Sequence, residues 1–217
     1  MIPGQIRPGI QVGVYTMKVI QIAGYLGSGK TTSMIEFGRT LSKKQNKKVA
    51  LIVNEIGEVP VDGKVMKEFD LEVKDIGGGC ICCTAAINLI KTLEILHDHY
   101  SPDYVLVEPT GVAIPNMVKK ALDQSAKMID GLEKGKAVVL LDATRPRKLL
   151  GNKHYKHLVE QQLKDADVVA INKIDCAKED DIEYAIAELE TINSEAEIIK
   201  ISSKTGVGMD ELLATIS

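Results

Sequence analysis

The residues with the clearest chemical meaning form a glycine-rich stretch near the start of the chain. Residues 24–31, GYLGSGKT, match the pattern GxxxxGK[ST] that binds nucleotide phosphates. Glycines allow backbone N–H groups to surround a phosphate, and a helix beginning after the stretch adds the positive end of its dipole. Lys30 would reach the β- and γ-phosphates, and the Thr31 hydroxyl would ligate Mg²⁺. The predicted phosphate contacts are Gly24, Gly27, Ser28, Gly29, Lys30, Thr31 and Thr32.

A second motif indicates which base the nucleotide carries. Residues 172–175, NKID, follow an apolar run, and residues 202–206, SSKTG, follow the next one. The Asp175 carboxylate can accept hydrogen bonds from N1–H and the 2-amino group of guanine, whereas adenine lacks that donor pair. Asn172 would fix the loop or contact the base edge, and the stem of Lys173 would lie over the base plane. The predicted guanine contacts are Asn172, Lys173, Asp175, Ser202, Ser203 and Lys204.

Acidic residues after two apolar runs predict the catalytic end of the pocket. Glu108 follows the run 104–107 and could hold the water shell of Mg²⁺ or orient an attacking water. Gly111 would let its backbone approach the γ-phosphate. Residues 54–62 leave another strand, where a nucleotide-sensing loop is expected. Its candidate ligands for Mg²⁺, water or a second metal are Glu55, Glu58 and Asp62. The predicted catalytic residues are Lys30, Thr31, Glu108 and Gly111, and the predicted magnesium ligands are Thr31, Glu108 and Asp62.

Three of the four cysteines are crowded into one turn. Gly77–Gly79 precede Cys80, Cys82 and Cys83, and Cys176 stands apart beside Asp175, where it is expected to pack near the base pocket. Thiolates at this density suit Zn²⁺, Cu(I) or another thiophilic metal, and three ligands leave a fourth position open. A regulatory disulfide between two of the three, or inert packing of reduced thiols, are the alternatives.

Apolar runs that alternate with helical periodicity must position these residues. They predict an α/β fold of the P-loop NTPase type, with a doubly wound, mainly parallel sheet flanked by helices. Residues 1–16 are expected to form a loose N-terminal leader, and residues 17–217 a single GTPase domain. Strands are predicted at 18–23, 49–53, 70–76, 104–107, 137–141, 168–171 and 198–201, and helices at 30–43, 85–98, 115–127, 155–164, 179–192 and 209–216.

Composition argues against several classes of partner. The 217 residues carry 27 Lys and Arg against 30 Asp and Glu, and the net charge of −3 argues against binding of nucleic acid or a membrane surface. Trp is absent and aromatic residues make up 4%, so base-stacking platforms are not expected. No apolar run approaches the ~18 residues of a membrane span, and we expect a cytoplasmic protein.

Taken together, the motifs resemble those of the CobW-like GTPases, a P-loop branch that also holds UreG, HypB and MeaB. The resemblance implies a GTPase, working with Mg²⁺, whose hydrolysis of GTP is coupled to delivery of zinc, cobalt or nickel to a client metalloprotein. It also implies Zn²⁺ or another divalent metal at Cys80, Cys82 and Cys83, helped by Glu55 or Glu58. The matching segments are GYLGSGKTT (24–32), VNEIGEVPVD (53–62), GGGCICC (77–83), VEPTG (107–111), NKID (172–175) and SSKTG (202–206).

One departure from the family pattern leaves client recognition open. CobW-like proteins usually carry a C-terminal domain, whereas this sequence ends one helix after residues 202–206. We therefore expect a minimal GTPase domain that acts as a homodimer or with a separate subunit.

Three other functions remain open from the sequence. The first is a GTPase that controls the assembly or reactivation of a corrinoid or other metalloenzyme, with a structural or sensing metal site. The second is a non-enzymatic module that buffers zinc. The third is an ATP-dependent kinase, against which residues 172–175 argue.

Overall fold

The computed structural model describes residues 15–53, 72–75 and 84–217, and within these ranges strands and helices alternate along the chain. The strands are β1 Met17–Gly24, β2 Val49–Val53, β3 Glu72–Asp75, β4 Tyr104–Glu108, β5 Leu132–Asp142, β6 Val168–Asn172 and β7 Glu197–Lys200. The helices are α1 Lys30–Gln45, α2 Thr84–His99, α3 Pro115–Met128, α4 Pro146–Gly151, α5 Lys153–Lys164, α6 Glu179–Ile192 and α7 Met209–Ile216. Among these helices, none combines the length and the hydropathy that a membrane crossing requires.

The strands form one sheet in the order β3-β2-β4-β1-β5-β6-β7. Every pairing between the described strands is parallel. The carboxyl ends of all strands therefore meet at one edge, which is where open α/β sheets bind ligands. The predicted fold class, a doubly wound parallel sheet of the P-loop NTPase type, is confirmed.

Helices cover both faces of the sheet because the strands are apolar on both sides. On one face, α1 and α7 pack on the sheet through side chains such as Phe37, Leu41 and Leu212. On the other face, α2 and α3 cover one half and α5 and α6 the other half, through side chains such as Leu93 and Leu163. The strands between these layers are buried, which explains their uninterrupted Val, Ile and Leu runs.

Strand β5 and helix α4 differ from the sequence-based expectation. Strand β5 begins at Leu132 instead of residue 137, because residues 132–134 pair with β1. The side chains of Glu133 and Lys134 in this part of the strand are exposed. No apolar run therefore marks this part of the strand. Helix α4 was not predicted, since six residues are too few to show a helical period. Its signal in the sequence is Pro146, which occupies the first helical position.

The last two residues of the predicted leader lie within the described part of the chain. The Tyr15 hydroxyl donates a hydrogen bond to the carbonyl oxygen of Pro102 at 2.6 Å. Its ring lies 5.4 Å from the ring of His97, measured between centroids. Residues 1–14 lie outside the described residues, and the division into leader and domain stays a prediction.

Replacing Leu41 by Ala is expected to lower the free energy of unfolding by about 2–5 kcal/mol, since the side chain is fully buried between α1 and the sheet. Urea denaturation measures this change. Met128→Ala, at a position that is 65% exposed, serves as the control and should change stability by less than about 0.5 kcal/mol. Equal effects of the two substitutions would contradict the assignment of the buried face of α1.

Candidate nucleotide-binding site

The phosphate loop, residues 24–31, joins the end of β1 to the start of α1. Gly24 and Gly29 have φ angles of 138° and 96°, a backbone region that favours glycine. A Cβ atom on Gly24 would lie 2.5 Å from the Leu140 carbonyl oxygen, and one on Gly29 would lie 2.3 Å from Asn172 Nδ2. Glycine is therefore required at both positions by conformation and by space.

Asn172 connects the phosphate loop to the loop that follows β7. Its side chain is 1% exposed. The Nδ2 group donates to the Ser28 carbonyl oxygen at 2.7 Å, and Oδ1 accepts hydrogen bonds from the Ser203 N–H at 3.0 Å and the Ser203 hydroxyl at 2.9 Å. The Lys173 N–H also donates to Oδ1, at 2.8 Å. Of the two roles predicted for Asn172, this geometry supports the fixing of the loops.

The Asp175 carboxylate is fixed by its neighbours. The Ser202 hydroxyl donates to Oδ1 at 2.7 Å, and the Cys176 thiol donates to Oδ2 at 3.1 Å. These two hydrogen bonds hold the pKa of Asp175 below its usual value. Asp175 is therefore ionised at neutral pH, as acceptance of two guanine N–H groups requires. Cys176 contacts Asp175 and so lies beside the predicted base pocket, but its side chain is exposed and not packed.

Lys173 reaches from the base-binding motif to the phosphate loop. Its Nζ donates to the Gly27 carbonyl oxygen at 2.5 Å and to Asp142 Oδ2 at 2.7 Å. Its backbone has a φ of 70°, an uncommon conformation for a residue with a side chain. The predicted placement of its stem along the base plane is compatible with this course, which joins residues 172–175 to the phosphate loop.

Asp142 and Arg145 belong to the site and were not predicted from the sequence. Asp142 ends β5, and its side chain is 2% exposed. Arg145 Nε donates to Asp142 Oδ2 at 2.9 Å, and Arg145 Nη2 donates to the Leu26 carbonyl oxygen at 2.5 Å. The signal in the sequence is that Asp142 directly follows an apolar strand, as Glu108 and Asn172 also do.

Lys30, Thr31 and Glu108 come together at the end of β4. The Thr31 hydroxyl donates to Glu108 Oε1 at 2.9 Å, and Lys30 Nζ lies 3.9 Å from the same oxygen. Both Lys30 and Glu108 are buried. A hydroxyl beside a carboxylate at the mouth of a phosphate loop is an oxygen donor set of the kind that Mg²⁺ prefers. These residues therefore fit the predicted magnesium ion.

The loop after Glu108 is held against the phosphate loop. Gln162 Nε2, on α5, donates to the carbonyl oxygens of Gly111 at 3.1 Å and Ala113 at 2.9 Å. A Cβ atom on Gly111 would lie 2.7 Å from Leu26 Cδ2, which explains the glycine. Gln162 was missed because a single glutamine in a helix has no distinguishing pattern. Gly111 thus lies beside Leu26 of the phosphate loop, and the approach of its backbone to the γ-phosphate stays a prediction.

The predicted ligands of the thiophilic metal, and one predicted magnesium ligand, lie in segments that the structure does not describe. Cys80, Cys82, Cys83, Glu55, Glu58 and Asp62 lie outside the described residues. Within the ranges that are described, no group of three or more His, Cys, Asp or Glu side chains could hold a metal ion. Thr32 is exposed in the first turn of α1, and Lys204 is exposed in the loop after β7. The predicted cysteine metal site remains a prediction.

The fold and the site define the class of the protein: a P-loop domain of the GTPase type, with its phosphate loop after β1 and an Asn-Lys-x-Asp motif after β6. Residues 18–200 match the CobW/HypB/UreG nucleotide-binding domain, and the chain belongs to this family. The solved structure of hydrogenase maturation factor HypB from Archaeoglobus fulgidus has the same fold. Its TM-score is 0.65 at 22% identity, over 91% of this chain and 87% of that one.

Two curated relatives are named as zinc chaperones. YeiR of Escherichia coli is 35% identical over 156 residues, which are 71% of this chain and 45% of YeiR. CobW of a Sinorhizobium species is 31% identical over 179 residues, which are 71% of this chain and 50% of that protein. The chain thus spans about half the length of the curated relatives it matches.

The contribution of Asp142 to stability is expected to depend on pH. Burial raises the pKa of Asp142, but hydrogen bonds from Lys173 and Thr144 lower it by more, so the net shift is downward from 3.8. A lowered pKa in the folded state means that the stabilisation is present above the unfolded-state value and is lost as pH falls through the folded-state value. Asp142→Asn should therefore lower the free energy of unfolding by about 1–3 kcal/mol at pH 7. The difference in this free energy between the variant and the parent protein should become smaller below about pH 4.

Urea denaturation at a series of pH values between 3 and 7 measures this difference. Asp130→Asn, a matched change at an exposed position, should leave stability unchanged at every pH. If the difference in the free energy of unfolding between Asp142→Asn and the parent protein stays constant over the whole pH range, the loss of stability comes from the changed side-chain shape and not from the lost charge.

Proposed function

We propose that this chain binds GTP with Mg²⁺ and hydrolyses it to GDP and phosphate, and that the reaction is coupled to delivery of a metal ion into a client protein. The observation that carries the guanine part is the ionised Asp175, held by Ser202 in a loop that Asn172 joins to the phosphate loop. Membership of the CobW/HypB/UreG family supports the GTPase part. Relatives named as zinc chaperones support the metal part.

Guanine selectivity follows from the carboxylate at Asp175. Its two oxygens would accept N1–H and the 2-amino group, and adenine would leave both of them without these donors. Ser202 donates to Oδ1 and in turn accepts from the Thr205 N–H at 3.1 Å, so the carboxylate is oriented before the base arrives. Pre-orientation reduces the entropy that binding costs.

Phosphate binding and hydrolysis would involve the residues at the end of β4. Lys30 would neutralise the β- and γ-phosphates, while Thr31 and Glu108 would hold Mg²⁺, with Asp62 as a further candidate. Bound Mg²⁺ would neutralise charge that develops on the phosphate oxygens. Gly111 would present its backbone to the γ-phosphate from a loop that Gln162 fixes. Arg145, which contacts the phosphate loop, is already engaged by Asp142, so we expect slow turnover until a partner supplies a further cation.

The cargo would be zinc, cobalt or nickel, bound at Cys80, Cys82 and Cys83 with help from Glu55 or Glu58. In the sequence, the cysteine turn lies between residues 54–63 and the loop after Glu108, two segments expected to respond to the γ-phosphate. A change of nucleotide could therefore change the ligand set and release the metal.

We expect the chain to act together with other proteins. Besides the client metalloprotein, we propose a second copy of the chain or a separate subunit. Leu26 and Val112 support this proposal, because these apolar residues of the phosphate loop and the neighbouring loop are 54% and 41% exposed. The absence of a membrane-crossing helix among the described residues is compatible with the proposed cytoplasmic location.

Replacing Asp175 by Asn is expected to lower the affinity for GDP about 100-fold or more, because two charge-assisted hydrogen bonds to the base are lost. The weak affinity for ADP should not change. Competition of GDP and ADP against a fluorescent guanine nucleotide measures both values. Asp180→Asn, a matched change at an exposed position of α6, should leave both affinities unchanged. A parent protein that binds ADP as tightly as GDP would overturn the proposed base.

Replacing Cys82 by Ser is expected to lower zinc affinity at least tenfold and to leave GDP affinity within about twofold, because the metal ligands and the nucleotide contacts are separate residues. Cys176→Ser is the matched control and should leave zinc affinity unchanged. A loss of GDP affinity equal to the loss of zinc affinity would contradict a separate metal site.

The coupling itself is tested by measuring zinc affinity in the GDP-bound form and with a non-hydrolysable GTP analogue. A tenfold difference, about 1.4 kcal/mol, would support delivery driven by hydrolysis and must be mirrored in nucleotide affinity. Equal zinc affinities would contradict delivery and favour a structural or sensing metal site.

A further inference from the structure

One buried carboxylate holds two cations beside the phosphate loop. Oδ2 of Asp142 accepts hydrogen bonds from Arg145 Nε at 2.9 Å and from Lys173 Nζ at 2.7 Å. Oδ1 accepts from the Thr144 N–H at 3.0 Å and from the Thr144 hydroxyl at 2.6 Å. Both oxygens of Asp142 are therefore engaged, and the positions of the two cations are fixed relative to the end of β5. We call Asp142, Arg145 and Lys173 the carboxylate clamp.

Each cation of the carboxylate clamp also binds a backbone carbonyl of the phosphate loop. Arg145 Nη2 donates to the Leu26 carbonyl oxygen and Lys173 Nζ to the Gly27 carbonyl oxygen, both at 2.5 Å. In a trans peptide, the carbonyl of one residue and the N–H of the next point in opposite directions. Fixing these two successive carbonyls therefore also fixes the directions of the N–H groups of Gly27 and Ser28. The Ser28 N–H donates to the Tyr25 carbonyl oxygen at 3.1 Å in this structure, so the Gly27 N–H is the one of the two that the loop itself leaves available.

The space beside Gly27 is occupied by the same arginine. A Cβ atom on Gly27 would lie 2.9 Å from Arg145 Nη2. The guanidinium thus lies directly against the loop backbone, and it is paired with a carboxylate that is 2% exposed. An arginine paired in this way is suited to orienting the loop, since the charge-assisted hydrogen bond to Asp142 holds the guanidinium in place. Asp142 is shared with Lys173, so the group of three side chains keeps a net positive charge beside the loop.

We propose that Asp142 and Arg145 are positioning residues for phosphate recognition. They hold the carbonyls of Leu26 and Gly27 on the side of the carboxylate clamp, so that the loop N–H groups keep the orientation that a bound diphosphate needs. Because Lys173 belongs to the base-binding motif, the carboxylate clamp also sets the phosphate loop at a fixed distance from the guanine pocket. The proposal rests on the proposed binding of a guanine nucleotide and names residues that control it.

Replacing Arg145 by Ala is expected to lower the affinities for GDP and for a non-hydrolysable GTP analogue by the same factor, about tenfold, since one charge-assisted hydrogen bond to the loop is lost. The ratio of GDP affinity to ADP affinity should not change, because Asp175 and Ser202 are untouched. In the protein without nucleotide, hydrogen exchange should become faster at the amides of residues 26–29 and stay unchanged in β6. Arg145→Lys keeps a charge beside Asp142 but loses the planar fork, and should show an intermediate loss.

The matched control is Arg147→Ala, two residues further along the chain. Arg147 pairs with Asp181 at 3.0 Å, is 60% exposed and should affect neither nucleotide affinity nor exchange of the loop amides. Unchanged affinity in Arg145→Ala, or a loss confined to the GTP analogue, would overturn the proposal, since the latter result indicates direct contact with the γ-phosphate. If Arg145→Ala does not fold, the same affinity and hydrogen-exchange measurements on Arg145→Lys test the proposal.

If the proposed binding of guanine nucleotide is wrong, the measurements give a result that differs from failure of the positioning role. A parent protein that binds neither GDP nor GTP would refute guanine-nucleotide binding. The exchange of residues 26–29 in the unliganded protein would still show whether Arg145 orders the phosphate loop, and unchanged exchange in Arg145→Ala would overturn that role.

Discussion

The site depends on a single buried side chain, the amide of Asn172. This residue ends β6, and its hydrogen bonds reach the phosphate loop at Ser28 and the loop after β7 at Ser203. Strands β1 and β6 are not neighbours, because β5 lies between them. Without this amide, the phosphate-binding and base-binding parts would be joined by the sheet, by the hydrogen bond from Lys173 to the Gly27 carbonyl oxygen, and by the contact between the Ser33 and Ser203 hydroxyls. A buried amide that lost these partners would have to leave polar groups unsatisfied, and this cost favours the assembled arrangement.

Among the described residues, each buried carboxylate at the carboxyl edge of the sheet lies beside at least one cation. Asp142 lies between Arg145 and Lys173, and Glu108 lies beside Lys30 and Thr31. A buried charge is stable only with a partner, and each carboxylate here has a cation or a hydroxyl within reach. A nucleotide that enters this edge would meet a preformed set of donors. Its phosphates would compete with Glu108 for Lys30, whereas Arg145 and Lys173 would stay bound to Asp142.

The sequence predicted those features whose physical causes are local. Buried parallel strands need continuous apolar runs, so β2, β4 and β6 were located within one residue of their ends. The phosphate loop has a fixed spacing of glycines because its backbone must approach a phosphate closely. The roles of Arg145 and Gln162 could not be found in this way, since the carbonyl groups that they fix are more than 45 positions distant in the chain. Such contacts depend on tertiary structure, and no spacing in the sequence records them.

The glycines of the phosphate loop differ in how freely evolution could replace them. Gly24 is blocked by the backbone of Leu140, and no change of side chain elsewhere can remove a backbone carbonyl. Gly27 is blocked by the end of a flexible arginine, so a shorter residue at position 145 would open a mutational path to asparagine, which tolerates its φ of 76°. We therefore expect substitutions at position 27 to accompany substitutions at position 145, whereas position 24 should stay glycine wherever this loop is kept.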